Sequence, residues 1–485
     1  MTDAAVTETH SAVVFFFGDR AYKVKKSVDL GFLDFSSRAA REAACHREVE
    51  LNRRLSPDVY LGVADMLDPD GEVCEHIVVM RRMPADRRLS RLVTHGADVN
   101  DQLGQLARLL AAFHAAATRS PAADRAAGAV ATAARWGANT TEMLRFTGQC
   151  LREDEVAMVH GLASRYLDGR DALFADRIAH GRACDGHGDL LAEDIFCLDD
   201  GPRVLDCIEF DDELRLGDGL ADVAFLAMDL DRLGRRDLAG RFLEAYRQHA
   251  NDAWPPSLAH HHIAYRAQVR AKVAAIRAEQ GAAGAAAEAS SALALAHAHL
   301  LEGRVRLVVV GGLPGTGKST LAAEIADALD AVVLRSDHVR KELAGLASTE
   351  LTAAAFEEGI YEPDTTSKTY HELFRRAGIA LGMGESVVID ASFTDARRRD
   401  AARVAAAETF SDHAEIRCTA PFEVAAARIR ARASAGDDAS DASAGVAVRM
   451  ADHDAPWLSA RSIDTNRDRS MVLQDALSYL HSPNP

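Results

Sequence analysis

A glycine-rich segment carries the residue types and spacing that most directly specify chemistry in this sequence. It fits the pattern G-x-x-x-x-G-K-[ST], in which glycines let backbone amides turn inward toward a phosphate group. Lys318 adds a positive charge for the β- and γ-phosphates, and the Ser319 hydroxyl can bind Mg²⁺. We therefore predict that this segment binds ATP with Mg²⁺. The predicted nucleotide-binding residues are Gly312, Gly315, Thr316, Gly317, Lys318, Ser319 and Thr320.

The residues on either side predict the elements that such a phosphate-binding loop (P-loop) requires. An apolar, β-branched run at 305–310 predicts a buried strand before the loop. Helix formers at 321–329, with apolar residues on one face, predict a helix after it. This context favours a P-loop over an ordinary glycine-rich turn.

Two carboxylates follow apolar runs further along the chain. Asp337 comes after a predicted buried strand at 331–334, and Arg340 lies three residues later. Asp390 ends a second predicted buried strand at 386–390. Ligands of α/β proteins bind at the carboxyl ends of parallel strands, so we expect Asp337 to accept the proton of an acceptor hydroxyl, Arg340 to hold that acceptor and Asp390 to hold a Mg²⁺-bound water. Asp337 as a helix cap is the alternative.

Two arginines lie four residues apart before a segment rich in small and acidic residues. Arg428 and Arg432 would share one face of a helix. They resemble the lid arginines of small P-loop kinases, a group whose S-D-x-x-R segment is similar to residues 336–340. That group includes polynucleotide 5′-kinases, zeta-toxin-like kinases and chloramphenicol phosphotransferase. The spacing also fits a solvated helix face.

A second candidate site lies in the first half of the chain. His187-Gly188-Asp189 is followed five residues later by Asp194. A turn at 199–202 then precedes a predicted strand at 203–210, which contains Glu209. In phosphoryl transfer, one carboxylate orients and deprotonates the hydroxyl while further oxygen ligands hold Mg²⁺ on the phosphates. The segment resembles the H-G-D-x-x-x-x-N loop of the aminoglycoside phosphotransferase branch of the protein-kinase-like fold.

This resemblance implies a role for each matching residue. Asp189 would be the catalytic base. Asp194, where the family has Asn, and Glu209, where it commonly has Asp, would hold the metal. Lys23 would be the strand lysine that contacts the phosphates, and Glu48 would be its helix partner.

The chain also departs from the family pattern. Leu191 and Ala192 fill a part of the loop that is usually more polar, and Asp194 adds a negative charge. No G-x-G-x-x-G loop precedes Lys23. A site that is inactive, or that only binds substrate or nucleotide, therefore stays an alternative.

The resemblance extends over nearly the whole chain. Residues 23–36, 48–57 and 206–213 are similar to a bacterial family usually described as bifunctional aminoglycoside phosphotransferase/ATP-binding proteins. It implies an α+β protein-kinase-like (aminoglycoside phosphotransferase) domain followed by an α/β P-loop kinase domain with a parallel sheet. We place the boundary after Gly303, giving domains at 1–303 and 304–485, because strand and helix patterns alternate only beyond it.

Periodicity predicts the elements that position these residues. The clearest expectations are strands at 12–17, 21–26 and 77–80 and helices at 38–55 and 100–117. Three successive histidines at 260–262 predict an exposed helix start rather than a metal site. Arg266 and Arg270 would share a helix face, where surface charge is favoured over contact with an anionic substrate.

Charge and composition narrow the possible partners. The net charge is -17, and residues 304–485 hold 27 Asp and Glu against 21 Lys and Arg, which is a net of -6. This balance argues against nucleic acid and favours a small-molecule hydroxyl acceptor. Seven scattered cysteines and no long apolar run predict reduced thiols, no membrane partner and a cytoplasmic location. Oligomeric state is not predicted.

These observations predict an ATP-dependent kinase that acts on a small hydroxylated metabolite. The P-loop site would be one catalytic centre, and the first domain could supply a second. One alternative is a regulatory switch, in which the ATP state of the P-loop changes how a degenerate kinase-like domain binds a partner. Another is a polynucleotide 5′-hydroxyl kinase.

Overall fold

The structure of the protein is a computed structural model that describes residues 5–8, 11–29, 34–347, 360, 362–435, 444–452 and 454–482. It divides into two compact units. The first unit comprises Met1–His160, Phe174–Trp254 and Ala259–His299. The second comprises Gly161–Leu173, Pro255–Leu258 and Leu300–Pro485.

An antiparallel five-stranded sheet opens the first unit, in the order β1-β2-β3-β5-β4. Ser37 caps the first helix by accepting a hydrogen bond from the Ala40 amide, as a Ser at the N-cap commonly does. That helix packs Cys45 and Val49 against the sheet and so fixes the direction of its buried polar residue, Glu48. The elements are β1 (Ala5–Glu8), β2 (Ala12–Phe17), β3 (Arg20–Lys25), α1 (Arg38–Asn52), β4 (Tyr60–Leu67) and β5 (Val73–Arg81).

Helices and short hairpins make up the remainder of this half of the chain. They are α2 (Leu89–Thr94), α3 (Asn100–Ala116), α4 (Pro121–Ala127), α5 (Ala129–Met143), α6 (Glu153–Asp168), α7 (Asp171–Ala179), β6 (Ala183–Asp185), β7 (Ile195–Leu198), β8 (Gly201–Val204), β9 (Leu216–Asp218), α8 (Gly219–Arg232), α9 (Arg236–His249), α10 (Pro256–Glu279) and α11 (Ala285–Glu302). Helix α8 is buried along almost its whole length, and its apolar residues form the centre of the helical part.

The second unit contains a parallel five-stranded sheet in the order β11-β12-β10-β13-β14. Strand β10 is fully buried at the centre, and its Val310 lies level with Asp390 on β12. The elements are β10 (Arg306–Gly311), α12 (Lys318–Leu329), β11 (Val332–Arg335), α13 (Ser336–Leu343), α14 (Pro363–Gly382), β12 (Val387–Asp390), α15 (Ala396–Glu408), β13 (Asp412–Thr419), α16 (Phe422–Ala435), α17 (Ala444–Asp452), β14 (Arg461–Asp464) and α18 (Arg469–His481).

The fold class predicted from the sequence is confirmed in both parts. A sheet followed by many helices forms an α+β kinase-like domain, and a parallel sheet with intervening helices forms a P-loop kinase domain. The strands expected at 12–17 and 21–26 and the helix expected at 100–117 agree with β2, β3 and α3 to within one residue at each end. No helix in the described ranges combines the length and apolar character needed to cross a membrane.

Three local expectations are wrong. The strand expected at 203–210 ends at Val204, because Asp206 adopts a left-handed conformation with φ 66° that no regular strand allows. The strand at 331–334 is exposed rather than buried, because β11 lies at the edge of its sheet. The histidines at 260–262 are not an exposed helix start, since His261 and His262 are buried in the core.

A buried ion-pair cluster in the first unit gives a test of its stability. The Arg177 guanidinium lies 2.6 Å from carboxylate oxygens of both Asp218 and Asp252, and all three side chains are buried. Arg177→Ala should lower the free energy of unfolding by about 3–5 kcal/mol, because it leaves buried carboxylates without their main partner. Urea unfolding followed by tryptophan fluorescence measures this change. The exposed Arg152→Ala should leave the urea midpoint unchanged; equal midpoints for the two variants would contradict the prediction.

Candidate active sites

Two carboxylates of α8 hold the loop that carries Asp189. Asp222 accepts hydrogen bonds of 2.8 Å from the amides of both His187 and Gly188. Asp229, seven residues later on the same face of α8, accepts one of 2.9 Å from the Ala192 amide. The loop is therefore fixed at both ends by one helix.

The loop also requires glycine at its centre. Gly188 has φ 89°, and a Cβ there would lie 3.0 Å from Cδ1 of Ile208 and 3.2 Å from Cγ of Arg215. Burial opposes ionisation of Asp222, yet its hydrogen bond with His114 and the neighbouring charges hold the pKa of Asp222 well below its ordinary value. Asp222 thus stays ionised as an acceptor for the loop amides. The sequence contained one indication of this role, two aspartates seven residues apart in an otherwise apolar helix.

Glu48 lies between two lysines of β3. Its carboxylate is 2.9 Å from Nζ of Lys23 and 2.8 Å from Nζ of Lys25, and the Glu48 side chain is completely buried. Lys23 is also 2.6 Å from Oδ1 of Asp206, and Lys25 forms an ion pair with Glu209. Each lysine therefore bridges Glu48 to one carboxylate of the segment that follows β8.

Three aspartates of this region, Asp189, Asp194 and Asp206, interact electrostatically with one another. Burial raises the pKa of Asp189 to about 6, with Arg270 lowering it and Asp206 raising it. Burial, and then the charges of Asp206 and Asp189, raise the pKa of Asp194 well above its ordinary value. The Lys23 ammonium holds the pKa of Asp206 below its ordinary value. The charges of Asp189, Asp194 and Asp206 thus act on one another, and the charge of Lys23 acts on Asp194 and Asp206.

This grouping differs from the metal set expected from the family pattern. Glu209 was expected to act with Asp194, but it is paired with Lys25, and the charges that act on Asp194 come from Asp206, Asp189, Lys23 and Arg88. Sequence reasoning missed Asp206 for this position because the predicted strand would have placed it on a regular ladder. Its left-handed φ instead turns its carboxylate toward Lys23.

The donor chemistry of the first site suits a divalent cation bound together with phosphates. Asp194 and Asp206 offer carboxylate oxygens, and Mg²⁺ is commonly bound by one or two carboxylates plus substrate phosphates. Within the described ranges, no three His, Cys, Asp or Glu side chains are grouped closely enough to hold a metal ion by themselves. The first site would therefore depend on phosphate oxygens to complete the coordination.

The P-loop has the backbone that an anion site needs. Gly312, Gly315 and Gly317 have positive φ values of 140°, 80° and 82°, and Gly317 directly precedes the first residue of α12, Lys318. Thr316 donates a 2.7 Å hydrogen bond to Leu313 O, which closes the turn. The amides at the start of α12 are consequently available to an anion.

Lys318 is half-buried and makes no hydrogen bond or ion pair with any residue in the described part of the chain. The hydroxyl of Ser319, one residue later, also makes no hydrogen bond with the described residues. Thr320, at the next position of α12, is exposed. The charges of Lys318 and Asp390 both act on the buried thiol of Cys418, so the two lie at the same edge of the sheet. The lysine and hydroxyl of the motif are thus not occupied by the protein itself.

Asp390 provides an observation that favours a hydrated metal ion. Its side chain is buried, one oxygen lies 3.3 Å from Nε of Arg335, and the other, Oδ1, has no hydrogen-bond partner among the described residues. A buried carboxylate oxygen without a donor is costly, and a metal-bound water would satisfy it. Ser319 and Asp390 therefore fit the Mg²⁺ that the motif implies.

The acceptor-side residues are partly paired with one another. Asp337 lies in the first turn of α13 and accepts a 2.7 Å hydrogen bond from Arg340, and it caps no described amide. Arg428 on α16 donates to Thr465 O at 2.9 Å and to Gly315 O at 3.4 Å, so it contacts the P-loop instead of forming a solvated face. The backbone of Arg432 belongs to α16, and its side chain lies outside the described residues.

Comparisons with known proteins find two families, one in each half of the chain. Residues 11–260 match the family described as "Phosphotransferase enzyme family", and residues 307–456 match "AAA domain". An uncharacterized protein of Mycobacterium tuberculosis is 43% identical over 468 residues, which cover 96% of this chain and 93% of the relative. The chain therefore belongs to the phosphotransferase enzyme family, joined to a P-loop domain of the AAA type.

Two solved structures show similarity to one part each. A choline/ethanolamine kinase family protein from Mesorhizobium loti is 14% identical, with a TM-score of 0.40, over 61% of this chain and 88% of that chain. A gluconokinase from Sinorhizobium meliloti is 18% identical, with a TM-score of 0.27, over 36% of this chain and 90% of that chain.

The raised pKa of Asp189 predicts a gain in stability when its charge is removed. Burial raises this pKa from 3.8 to about 6, so the ionised carboxylate destabilises the fold above pH 6 and has no such effect below about pH 4. Asp189→Asn should raise the free energy of unfolding at pH 7.5 by about 1–2 kcal/mol, allowing for partial exposure, with the gain vanishing at pH 4. Urea unfolding at both pH values measures it. The exposed Asp199→Asn should leave the free energy of unfolding unchanged at both pH values. A loss of stability at pH 7.5 for Asp189→Asn would contradict the prediction.

Proposed function

We propose that the protein is an ATP-dependent kinase that transfers the γ-phosphoryl group to a hydroxyl of a small metabolite. The observation that carries the proposal is that, among the residues the structure describes, Lys318 and the Oδ1 atom of Asp390 both lack a hydrogen-bond partner at one edge of the second unit's sheet. ATP with Mg²⁺ would satisfy both groups, because phosphate oxygens accept from the lysine and a metal-bound water donates to the carboxylate. A module that only binds proteins has no need of either.

Each residue of the second unit has a defined task in this proposal. The P-loop amides and Lys318 hold the β- and γ-phosphates, Ser319 and Asp390 hold Mg²⁺, and the bound metal supplies charge neutralisation at the phosphates. Asp337 receives the proton of the acceptor hydroxyl while the oxygen of that hydroxyl bonds to the γ-phosphorus. The bond from that phosphorus to the bridging oxygen breaks, and the electron pair leaves with ADP.

Arg340 and the lid arginines complete the second site. Arg340 donates to Asp337 and so would orient this carboxylate toward the acceptor. Arg428 on α16 joins the P-loop to the strand end at Thr465. Arg432, one turn further on α16, would neutralise charge on the transferred group.

The first unit is proposed as a second phosphotransferase site. A lysine held by a buried glutamate and a loop aspartate with a raised pKa are the parts that orient ATP and deprotonate a hydroxyl in kinase-like folds. Lys23 would bind the phosphates with Glu48 behind it, Asp189 would be the base, and Asp194 would hold the metal. Asp206 takes the second metal position in this proposal, in place of Glu209.

The P-loop proposal predicts a loss of ATP binding and turnover in Lys318→Ala. Removing a charged hydrogen-bond donor should weaken ATP binding by about 10–100-fold. Calorimetric titration with ATP measures affinity, and ADP release is followed against sugars, amino sugars, aminoglycosides, nucleosides and oligonucleotides. The exposed Lys368→Ala of the same unit is the matched control and should behave as wild type.

The pattern across variants separates the remaining functions. Turnover lost in Lys318→Ala but kept in Asp189→Ala would assign catalysis to the second unit alone. Turnover on one acceptor that is lost in Asp189→Ala would show that the first site also works. ATP binding without stimulation by any acceptor would contradict the kinase proposal and favour a regulatory switch.

A separate prediction concerns the metal. Asp390→Asn keeps the size of the side chain but removes its charge, so the Mg²⁺ concentration for half-maximal ATP turnover should rise by about 10–100-fold. Titration of Mg²⁺ at fixed ATP measures this value. Asp400→Asn, on the exposed face of α15, is the control. An unaltered Mg²⁺ requirement in Asp390→Asn would exclude this carboxylate from the metal site.

A further inference from the structure

A cavity of about 640 Å³ opens in the first unit between α8, α10 and α11. This volume lies in the range of cavities that enclose small ligands. Five alanines and one leucine make up half of the twelve lining residues, and all of them except Ala274 lie on α11. Its charged residues are Asp231 and Arg232 at the end of α8, Arg270 on α10 and Glu288 on α11.

Most of these charged groups already have a hydrogen-bond partner within the protein. Three of the four charged residues are paired: Glu288 with Arg277 at 2.9 Å, Asp231 with His299 at 3.0 Å, and Arg232 with Asp229 at 2.8 Å. The carboxylates of the cavity wall are therefore satisfied by protein donors. A cationic ligand would find no unpaired carboxylate there in the described part of the chain.

Arg270 is the exception. Its side chain is half-buried, and it makes no hydrogen bond or ion pair with any residue that the structure describes. A partly desolvated guanidinium without an acceptor is unfavourable, and an anion that enters the cavity would compensate it. Among the described residues, Arg270 is thus the charged group of the cavity that still lacks a hydrogen-bond acceptor.

The same helix connects this charge to the loop of Asp189. Arg266, one turn before Arg270 on α10, donates to Gly188 O at 3.4 Å and to Ala221 O at 3.0 Å. Four residues advance an α-helix by about 6 Å, so Arg270 lies about one turn from the loop. Its charge acts directly on the Asp189 carboxyl. A molecule with a hydroxyl a few bonds from an anionic group could therefore reach both residues.

We infer that this cavity binds the phosphate acceptor of the first unit, and that the acceptor is a hydroxylated small molecule with a carboxylate or phosphate group bound by Arg270. The inference rests on the proposed second phosphotransferase site. In the transfer, the acceptor oxygen bonds to the γ-phosphorus of ATP, its proton passes to Asp189, and ADP leaves with the electron pair of the broken bond. An amino sugar is disfavoured, because its ammonium group would face Arg270.

Four hexose probes that differ in charge test the inference: gluconate, glucose 6-phosphate, glucose and glucosamine. The full chain with Lys318→Ala is used, so that phosphate binding by the P-loop is weakened. We expect calorimetric binding of gluconate or glucose 6-phosphate, and of neither glucose nor glucosamine. Arg270→Met in this background should weaken anion binding at least about tenfold, the usual effect of losing a charged hydrogen bond. Arg270→Lys should retain part of it.

A control on the same helix guards against general effects. Lys272 pairs with Glu142, away from the cavity, and Lys272→Met should leave anion binding unchanged. Binding of gluconate alone assigns a carboxylate acceptor, and binding of glucose 6-phosphate alone assigns a phosphorylated one. Tighter binding of glucosamine, no binding of either anion, or equal anion binding by Arg270→Met and Lys272→Met overturns the inference. ADP release, measured separately, tests the proposed activity: anion binding without turnover contradicts that activity and leaves the cavity assignment standing.

Discussion

The first unit depends on one buried carboxylate. Glu48 is completely buried, and burial of an ionised carboxylate is tolerated only where cations and hydrogen bonds compensate it. Lys23 and Lys25 can both reach it because alternate residues of a strand point to the same face. Their second contacts, to Asp206 and Glu209, then determine the course of the chain after β8. One ion-pair cluster thus joins β3, α1 and the segment that carries a candidate metal ligand.

The two candidate phosphate sites differ in how the protein pairs their lysine. In the second unit, Lys318 has no partner among the described residues and backbone amides line the loop, so ligand binding would break no pair that the structure describes. The first unit neutralises Lys23 with Glu48 and Asp206 in advance. Phosphate bound there, as proposed, would compete with Asp206 for the lysine, and that competition would release the Asp206 carboxylate for a metal ion. Occupancy of the first site would therefore be coupled to rearrangement of its own ion pairs.

Local patterns predicted much of the fold and of the second site. Helix α3 and strands β2 and β3 follow from periodicity and from capping and turn residues, all of which act within a few positions along the chain. The P-loop could also be predicted from local sequence, because its glycines and Lys318 are adjacent in sequence. The strand prediction at 203–210 was wrong because a distant contact decides the conformation there. The residues alternate as a strand requires, but Asp206 leaves the strand conformation and pairs with Lys23, 183 positions away.

The sequence by itself determined the two-part fold class, the phosphate-binding loop and the loop that carries Asp189, since each is encoded by contiguous residues. Only the tertiary structure decided that the charge of Asp206, rather than that of Glu209, acts on Asp194, and that Arg270 lines a cavity with no hydrogen-bond partner among the described residues. These outcomes depend on which distant charges meet in a partly buried environment. Pairing over such distances is set by the packing of β3, α8 and α10, and spacing along the chain does not specify it.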